Sequence, residues 1–238
     1  MTDRLDIYGG LDPRDVPTYR VSEAARYLSL PVSTLRAWTF GQKSGTRSFH
    51  RVIEPADRRA GLLSFRNLVE AHVLSSLRVH HRIPLPRIRH DVAVLAQLTG
   101  KKRPLSDLPL MTDGADLFIR AFGRGILNVR REQFAIEEVV SAYLQRIESD
   151  NLGAISLYPF TRKRDAIEAK ALMADPRIVV IDPRISFGRP VLAKSNIRTA
   201  VIAQRYLAGE SVVSLAADYG RSALEIEEAI RSEIPVAA

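Results

Sequence analysis

Ser33, Thr34 and Arg36 fall within one turn of a segment with helical spacing, and their hydroxyls and guanidinium are the groups that read base edges. Leu35 and Trp38, interleaved with them, mark the face that must turn inward. Lys43, Arg47 and Arg51 come next, then Arg58 and Arg59. Cations spaced along a loop suit phosphate contacts, which fix position on a duplex without reading its sequence. Other chemistries find no comparable set. Phe122-Gly123-Arg124-Gly125 lacks the residues of a phosphate-binding loop and reads as a turn. His80-His81 and His90-Asp91 read as helix-end residues and not as metal ligands, because adjacent histidines point in different directions. Zero cysteines exclude disulfides, thiol nucleophiles and Cys-ligated zinc. The carboxylates show no pairing suited to hydrolysis. No metal, no cofactor and no enzymatic activity are expected.

Short elements must position those side chains. Val21, Ala24, Ala25 and Leu28 recur at helical spacing, with Ser22 as N-cap and Glu23 in the first turn. Pro31 biases Leu30 away from the α region and ends that helix. A second helix spans about Val32–Phe40, with Pro31 or Val32 near its start and Gly41 after it; Leu35 and Trp38 face inward with Val32 alongside. Two short helices across a tight turn, with small Ala25 at the crossing and Leu30 plugging the turn, follow the helix-turn-helix plan. Gln42–Arg51 (QKSGTRSFHR) then reads as a basic hairpin with Gly45 at its tip. Val52-Ile53 is the expected following strand and Leu62-Leu63 its return after an Asp57–Gly61 turn, which makes a wing. Phe65–His80 reads as an amphipathic helix through Phe65, Leu68, Val69, His72, Val73 and Leu77, and Arg87–Leu98 as another, burying Ile88, Val92 and Leu95.

The charge is placed to match. Residues 1–104 carry 18 Lys+Arg against 9 Asp+Glu, and residues 105–238 carry 17 against 18, so the formal +8 resides entirely in the first part. Such asymmetry points to a polyanion bound by one region. At 46% hydrophobic and 26% charged, the chain has an ordinary globular composition. No apolar run spans a membrane and the N-terminus lacks a signal-peptide pattern, so a cytoplasmic location is expected.

Beyond residue 100 the signals thin. Lys101–Asp107 reads as a linker, Pro109–Ile119 as a hairpin over Asp113-Gly114, Phe134–Ile147 as a helix and Ala154–Phe160 as a strand. Val179–Val191 reads as strand-turn-strand, followed by helices at about Thr199–Ala208, Val212–Tyr219 and Ala223–Arg231, with Gly209 and Gly220 ending the first two. This second helix-turn-helix has Glu225, Glu227, Glu228 and Glu233 on its final helix against Arg231. Phosphates would repel it, so protein contacts are its expected use.

Two resemblances bear on these segments. VSEAARYLSLPVSTLRAW, the basic wing and SFRNLVEAHVLSSLRVHHRIPLPRIR resemble the DNA-binding domain of MerR-like regulators. The matching positions are Ala25, Thr34, Leu35, Arg36, Trp38, Phe65, Leu68, Leu77, Arg78, Ile88 and Arg89. That family's turn glycine is Ser29 here, and its dimerising coiled coil is absent. The segment IDPRISFGRPVLAKSNIRTAVIAQRYLAGESVVSLAADYG resembles a small bacterial domain found in VapB-type antitoxins, which are encoded beside PIN-domain ribonuclease toxins. Asp182, Pro183, Arg184, Gly188, Arg189, Pro190, Val191, Ala208, Gly209, Glu210, Ala216, Tyr219 and Gly220 match.

The expected fold is mainly α with small β elements (α+β). Its parts are an N-terminal arm (1–19), a winged helix-turn-helix domain (20–100), a linking or dimerising segment (101–175) and a C-terminal three-helix unit with a short strand pair (176–238). DNA contacts are expected from Ser33, Thr34, Arg36, Lys43, Arg47, Arg51, Arg58 and Arg59. The resemblances imply a homodimeric antitoxin that neutralises a PIN-domain ribonuclease and represses its own operon on double-stranded operator DNA. The alternative is a regulator responding to a small molecule.

Overall fold

The computed structural model describes residues 8–44, 47–78, 84–107, 138–162 and 169–234. Its class is α+β: helices with short antiparallel strand pairs. Chain order begins with β1 (Tyr19–Arg20), α1 (Val21–Tyr27), α2 (Val32–Phe40), β2 (Gln42–Ser44), β3 (Arg47–Phe49) and β4 (Leu62–Leu63). Next come α3 (Phe65–Arg78), α4 (Leu85–Thr99) and α5 (Pro104–Asp107). A helix α6 at 138–144, β5 (Ile147–Asp150), β6 (Gly153–Leu157) and α7 (Ala169–Met173) make the middle of the chain. The last part holds β7 (Val179–Val180), β8 (Val191–Leu192), α8 (Thr199–Leu207), α9 (Val212–Tyr219) and α10 (Ala223–Glu233).

α3 is the axis of the molecule. Every residue from Phe65 to Leu77 is buried, so the amphipathic helix expected here is instead enclosed on all sides. Leu68, Val69, Leu74 and Leu77 share one core with Leu35 and Trp38 of α2, Ile88 and Leu95 of α4, and Leu144, Ile147 and Leu157 of the middle segment. The polar residues of α3 are tolerated because distant parts of the chain supply partners. Arg66 meets Asp15 at 3.1 Å and Asp107 at 2.5 Å, and Arg14 meets Asp12 at 2.7 Å and Asp150 at 2.9 Å. His72 donates from Nε2 to the Tyr143 carbonyl at 3.0 Å between the rings of Tyr143 and Phe160; burial lowers its pKa to about 3 and keeps it neutral. Burial likewise raises Glu70 to about 7, against the opposing pull of Arg103 and a 2.9 Å hydrogen bond from Asn67.

Several expectations are corrected. Tyr19–Arg20 forms a strand that pairs antiparallel with Leu62–Leu63, so α1 starts directly at Val21 and Ser22 lies inside it, not at the cap. The return strand thus pairs with β1 and not with Val52-Ile53, whose amides both donate to the Trp38 carbonyl at 2.8 and 3.0 Å. Val32 is 47% exposed, because α2 turns only its Leu35–Trp38 side to the core. Pro104–Asp107 is a buried helical turn against α3, held by Arg66, where a linker was expected. Ile147 opens a strand and does not end a helix. The arm is no free extension: from residue 8 it turns back on itself, and Tyr8 donates to the Pro183 carbonyl at 2.9 Å. Gly45, His80, His81 and the 109–119 hairpin lie outside the described residues.

The C-terminal unit has its own small core of Leu192, Ile202, Leu215, Ile226 and Ala229. Ser222 caps α10 in a reciprocal box with Glu225, and Ser211 caps α9. Among the described residues no helix is long and apolar enough to cross a membrane, and no three His, Asp or Glu side chains are grouped to hold a metal ion.

Candidate nucleic-acid interface

The α1–α2 turn is set by a left-handed residue. Ser29 has φ +53°, its amide donates to Arg26 O at 3.1 Å, and the Leu30 amide reaches back to Ala25 O at 2.8 Å. This paired pattern is a Schellman closure, usually built on glycine. It seats Leu30 against the core and starts α2 after Pro31. Leu35 and Trp38 are then buried to within 1% of complete, and Thr39 Oγ1 satisfies itself on Leu35 O at 2.8 Å. The opposite face is free: Ser33 and Arg36 are exposed and Thr34 is half-buried. The Arg36 guanidinium lies 5.9 Å from the Phe40 ring and has no carboxylate partner among the described residues. Pro31 supplies no side-chain cap, which leaves first-turn amides at the positive end of the helix dipole for solvent or an anion.

Gly41, at φ +79°, turns the chain out of α2 into the β2–β3 hairpin. Its register pairs Gln42 with Phe49, Lys43 with Ser48 and Ser44 with Arg47, so Lys43 and Arg47 sit on opposite strands of one two-stranded wing. The side chains of residues 43–49 lie outside the described set. The wing's base is tied down by the Val52 and Ile53 bonds to Trp38 and by Arg89, which donates to the His50 carbonyl at 2.8 Å. Arg51 is ion-paired with Glu54, so it is less available than its position in the sequence suggests. Arg58 and Arg59 are exposed on a turn closed by Asp57, whose Oδ1 accepts the amides of Arg59 and Ala60 at 2.8 and 2.9 Å.

Two residues not chosen from the sequence join this surface. Gln42 and Arg78 line an open hollow beside α2 together with Ser33 and Thr34. Arg78 belongs to the Leu-Arg pair that ends α3, which was the available signal.

The acidic final helix of the second helix-turn-helix has an unexpected use. Glu228 is 0% exposed and binds Arg162 at 2.6 Å, Arg231 at 2.6 Å and Thr161. Glu233 binds Thr199 at 2.5 Å and clasps Arg26 on α1, while Arg189 pairs with Glu23. Glu233 therefore fastens α10 to α1 of the first helix-turn-helix, while Glu228 holds α10 to residues 161–162.

The comparisons with known proteins fall on the same segments. A family model described as a putative DNA-binding HTH domain matches residues 17–92, and one described as a protein of unknown function (DUF433) matches residues 179–231. Across nearly its whole length the chain is similar to Putative antitoxin VapB45 of Mycobacterium tuberculosis, at 30% identity over 239 residues, 91% of this chain and 93% of that one. The chain belongs to the VapB45 family. A second relative from that organism, Uncharacterized protein Rv2308, is 24% identical over 225 residues, covering 91% of this chain and 90% of its own. The crystal structure of Rv2018 from Mycobacterium tuberculosis matches with a TM-score of 0.65 and 27% identity over 90% of this chain and 98% of that one. VapB45-family kinship thus spans the DNA-binding helix-turn-helix, the α3 axis and the clasped C-terminal unit together.

Proposed function

We propose that this chain is an antitoxin which neutralises a ribonuclease toxin of the PIN-domain class and represses its own operon. In this reading residues 20–100 bind double-stranded operator DNA in MerR-like fashion as half of a homodimer. Ser33, Thr34 and Arg36 address base edges, and Lys43, Arg47, Arg58 and Arg59 hold phosphates, with Arg51 a weaker contributor because Glu54 occupies it. The observation that carries the reading is the free polar face of α2, next to a hairpin of basic sequence, in a chain similar to Putative antitoxin VapB45 over nine-tenths of its length. The test is co-expression. The chain should restore growth to cells expressing the ribonuclease from the adjacent reading frame and should bind its own promoter duplex. Growth arrest that persists at equal expression would refute the antitoxin role.

One structural feature favours the second reading, a regulator sensing a small molecule. A hollow of about 610 Å³ lies between the α1–α2 turn and the end of α10, walled by Ala25, Leu30 and Pro31 and rimmed by Arg26, Arg162 and Arg231. Its size suits a small ligand. Release of promoter DNA by a metabolite, with no effect on growth in the co-expression test, would favour that reading.

A further inference from the structure

The DPRISFGR segment between β7 and β8 does something the fold does not require. Ser186, Phe187 and Gly188 take three successive left-handed conformations, at φ 49°, 54° and 73°. Two of them carry side chains and so incur steric strain. The strain is not repaid by burial, since the Phe187 ring remains 60% exposed. It meets the Tyr8 ring edge-on at 6.1 Å, in the same turn of the arm as Leu11, itself 56% exposed.

The loop is nevertheless locked. Amides of Ile185, Gly188 and Arg189 donate to Asp182, Ile185 and Ser186 carbonyls at 3.0, 2.9 and 3.1 Å. Buried Asp182 accepts from the Arg184 amide at 2.8 Å and its Nε at 2.9 Å. Tyr19 Oη donates to the Gly188 carbonyl at 2.9 Å, and a Cβ at Gly188 would lie 2.1 Å from that hydroxyl. A projecting aromatic on a preorganised loop loses little entropy on docking, and aromatic residues, Phe among them, are enriched at protein interfaces.

The surroundings narrow the partner. Phe187 is exposed and belongs to none of the hydrophobic clusters of the described residues, so only a partner could enclose its ring. The cations beside the ring are ion-paired, Arg184 with Asp182 and Arg14 with Asp12 and Asp150, which weakens any pull on a polyanion there. The loop also lies within the 179–231 match, outside the DNA-binding domain.

We propose that this loop is the protein-docking element of the chain, and that it seats Phe187 in an apolar socket of the toxin. The proposal rests on the antitoxin reading above. The test titrates purified full-length chain with the purified protein encoded by the adjacent reading frame. Phe187→Asn removes the ring while keeping a residue that tolerates the left-handed region. It should bind that protein at least tenfold more weakly, with promoter affinity within about twofold of wild type, and Phe187→Tyr should restore binding. A Phe187→Asn chain that binds as tightly as a tightly binding wild type would overturn the docking assignment alone. A wild-type chain that does not bind the protein at all would overturn the antitoxin reading and this proposal with it. Loss of self-association in sedimentation, with toxin affinity unchanged, would make the loop a contact between copies and also overturn the proposal.

Discussion

Ser29 holds the hinge of the DNA-reading motif in a conformation better suited to glycine. Its φ of +53° carries a Cβ penalty of about 1 kcal/mol, which Ser29→Gly removes without touching the exposed face of α2. Urea denaturation should show that variant to be more stable by about 1 kcal/mol, with promoter affinity unchanged. Glu70 makes a second residue-scale case. Its folded pKa near 7 exceeds the ordinary 4.5, so the folded protein keeps a proton that the unfolded chain releases. The stability linked to that proton is full below about pH 4.5 and is lost as pH rises through about 7. Facing it are Asn67, Arg66, Arg103 and Asp107. Glu70→Gln keeps a neutral acceptor for Asn67, so it should match wild type at pH 4.5 and exceed it in stability at pH 8. A gap that stays constant across that range would show that Glu70 does not titrate as described. Neither residue was legible in advance beyond Ser29 standing where a glycine was expected.

Among the elements, the local signals served well and the long-range ones did not. Helix α2 follows from Leu35 and Trp38 at helical spacing, and the hairpin from a basic run around a glycine, because both depend on near neighbours. The β1–β4 pair joins two dipeptides, Tyr19-Arg20 and Leu62-Leu63, that bear no mark of each other in the chain. Its consequence is large, since that pairing brings Tyr19 under the Gly188 carbonyl and ties the arm, α1 and the strained loop together. Tyr19→Phe deletes one hydroxyl and leaves a buried carbonyl unsatisfied. It should cost about 1–3 kcal/mol in thermal or urea unfolding. A change below a few tenths would mean that the loop is held by its internal bonds alone. Helix α3 escaped recognition as an axis for a similar reason: Asp12, Asp15, Asp107 and the Tyr143 carbonyl, which make its polar residues buriable, come from distant stretches.

At the scale of the whole molecule, charge counting pointed to the end that the DNA-binding HTH family model matches, but it did not show where the carboxylates of the other end find their partners. The acidic final helix is neutralised by Arg26, Arg162 and Arg231, arginines of other segments as well as its own. The chain is therefore two helix-turn-helix units joined by the Arg26–Glu233 and Arg189–Glu23 pairs, the first with Arg36, Arg58 and Arg59 exposed and the second with most carboxylates of its final helix ion-paired. The DNA-binding family model matches the first unit, and the acidic final helix of the second would repel phosphates. This account is tested most directly by titrating the chain's own promoter duplex, and an unrelated duplex, with wild type, Arg36→Ala and Lys43→Ala over a series of salt concentrations. Arg36→Ala should cost about 1–3 kcal/mol on the promoter and relax the preference between duplexes, whereas Lys43→Ala should weaken both alike and flatten the salt dependence by about one ion. An Arg36→Ala chain with wild-type affinity and preference would contradict the assignment of α2 as the reading helix.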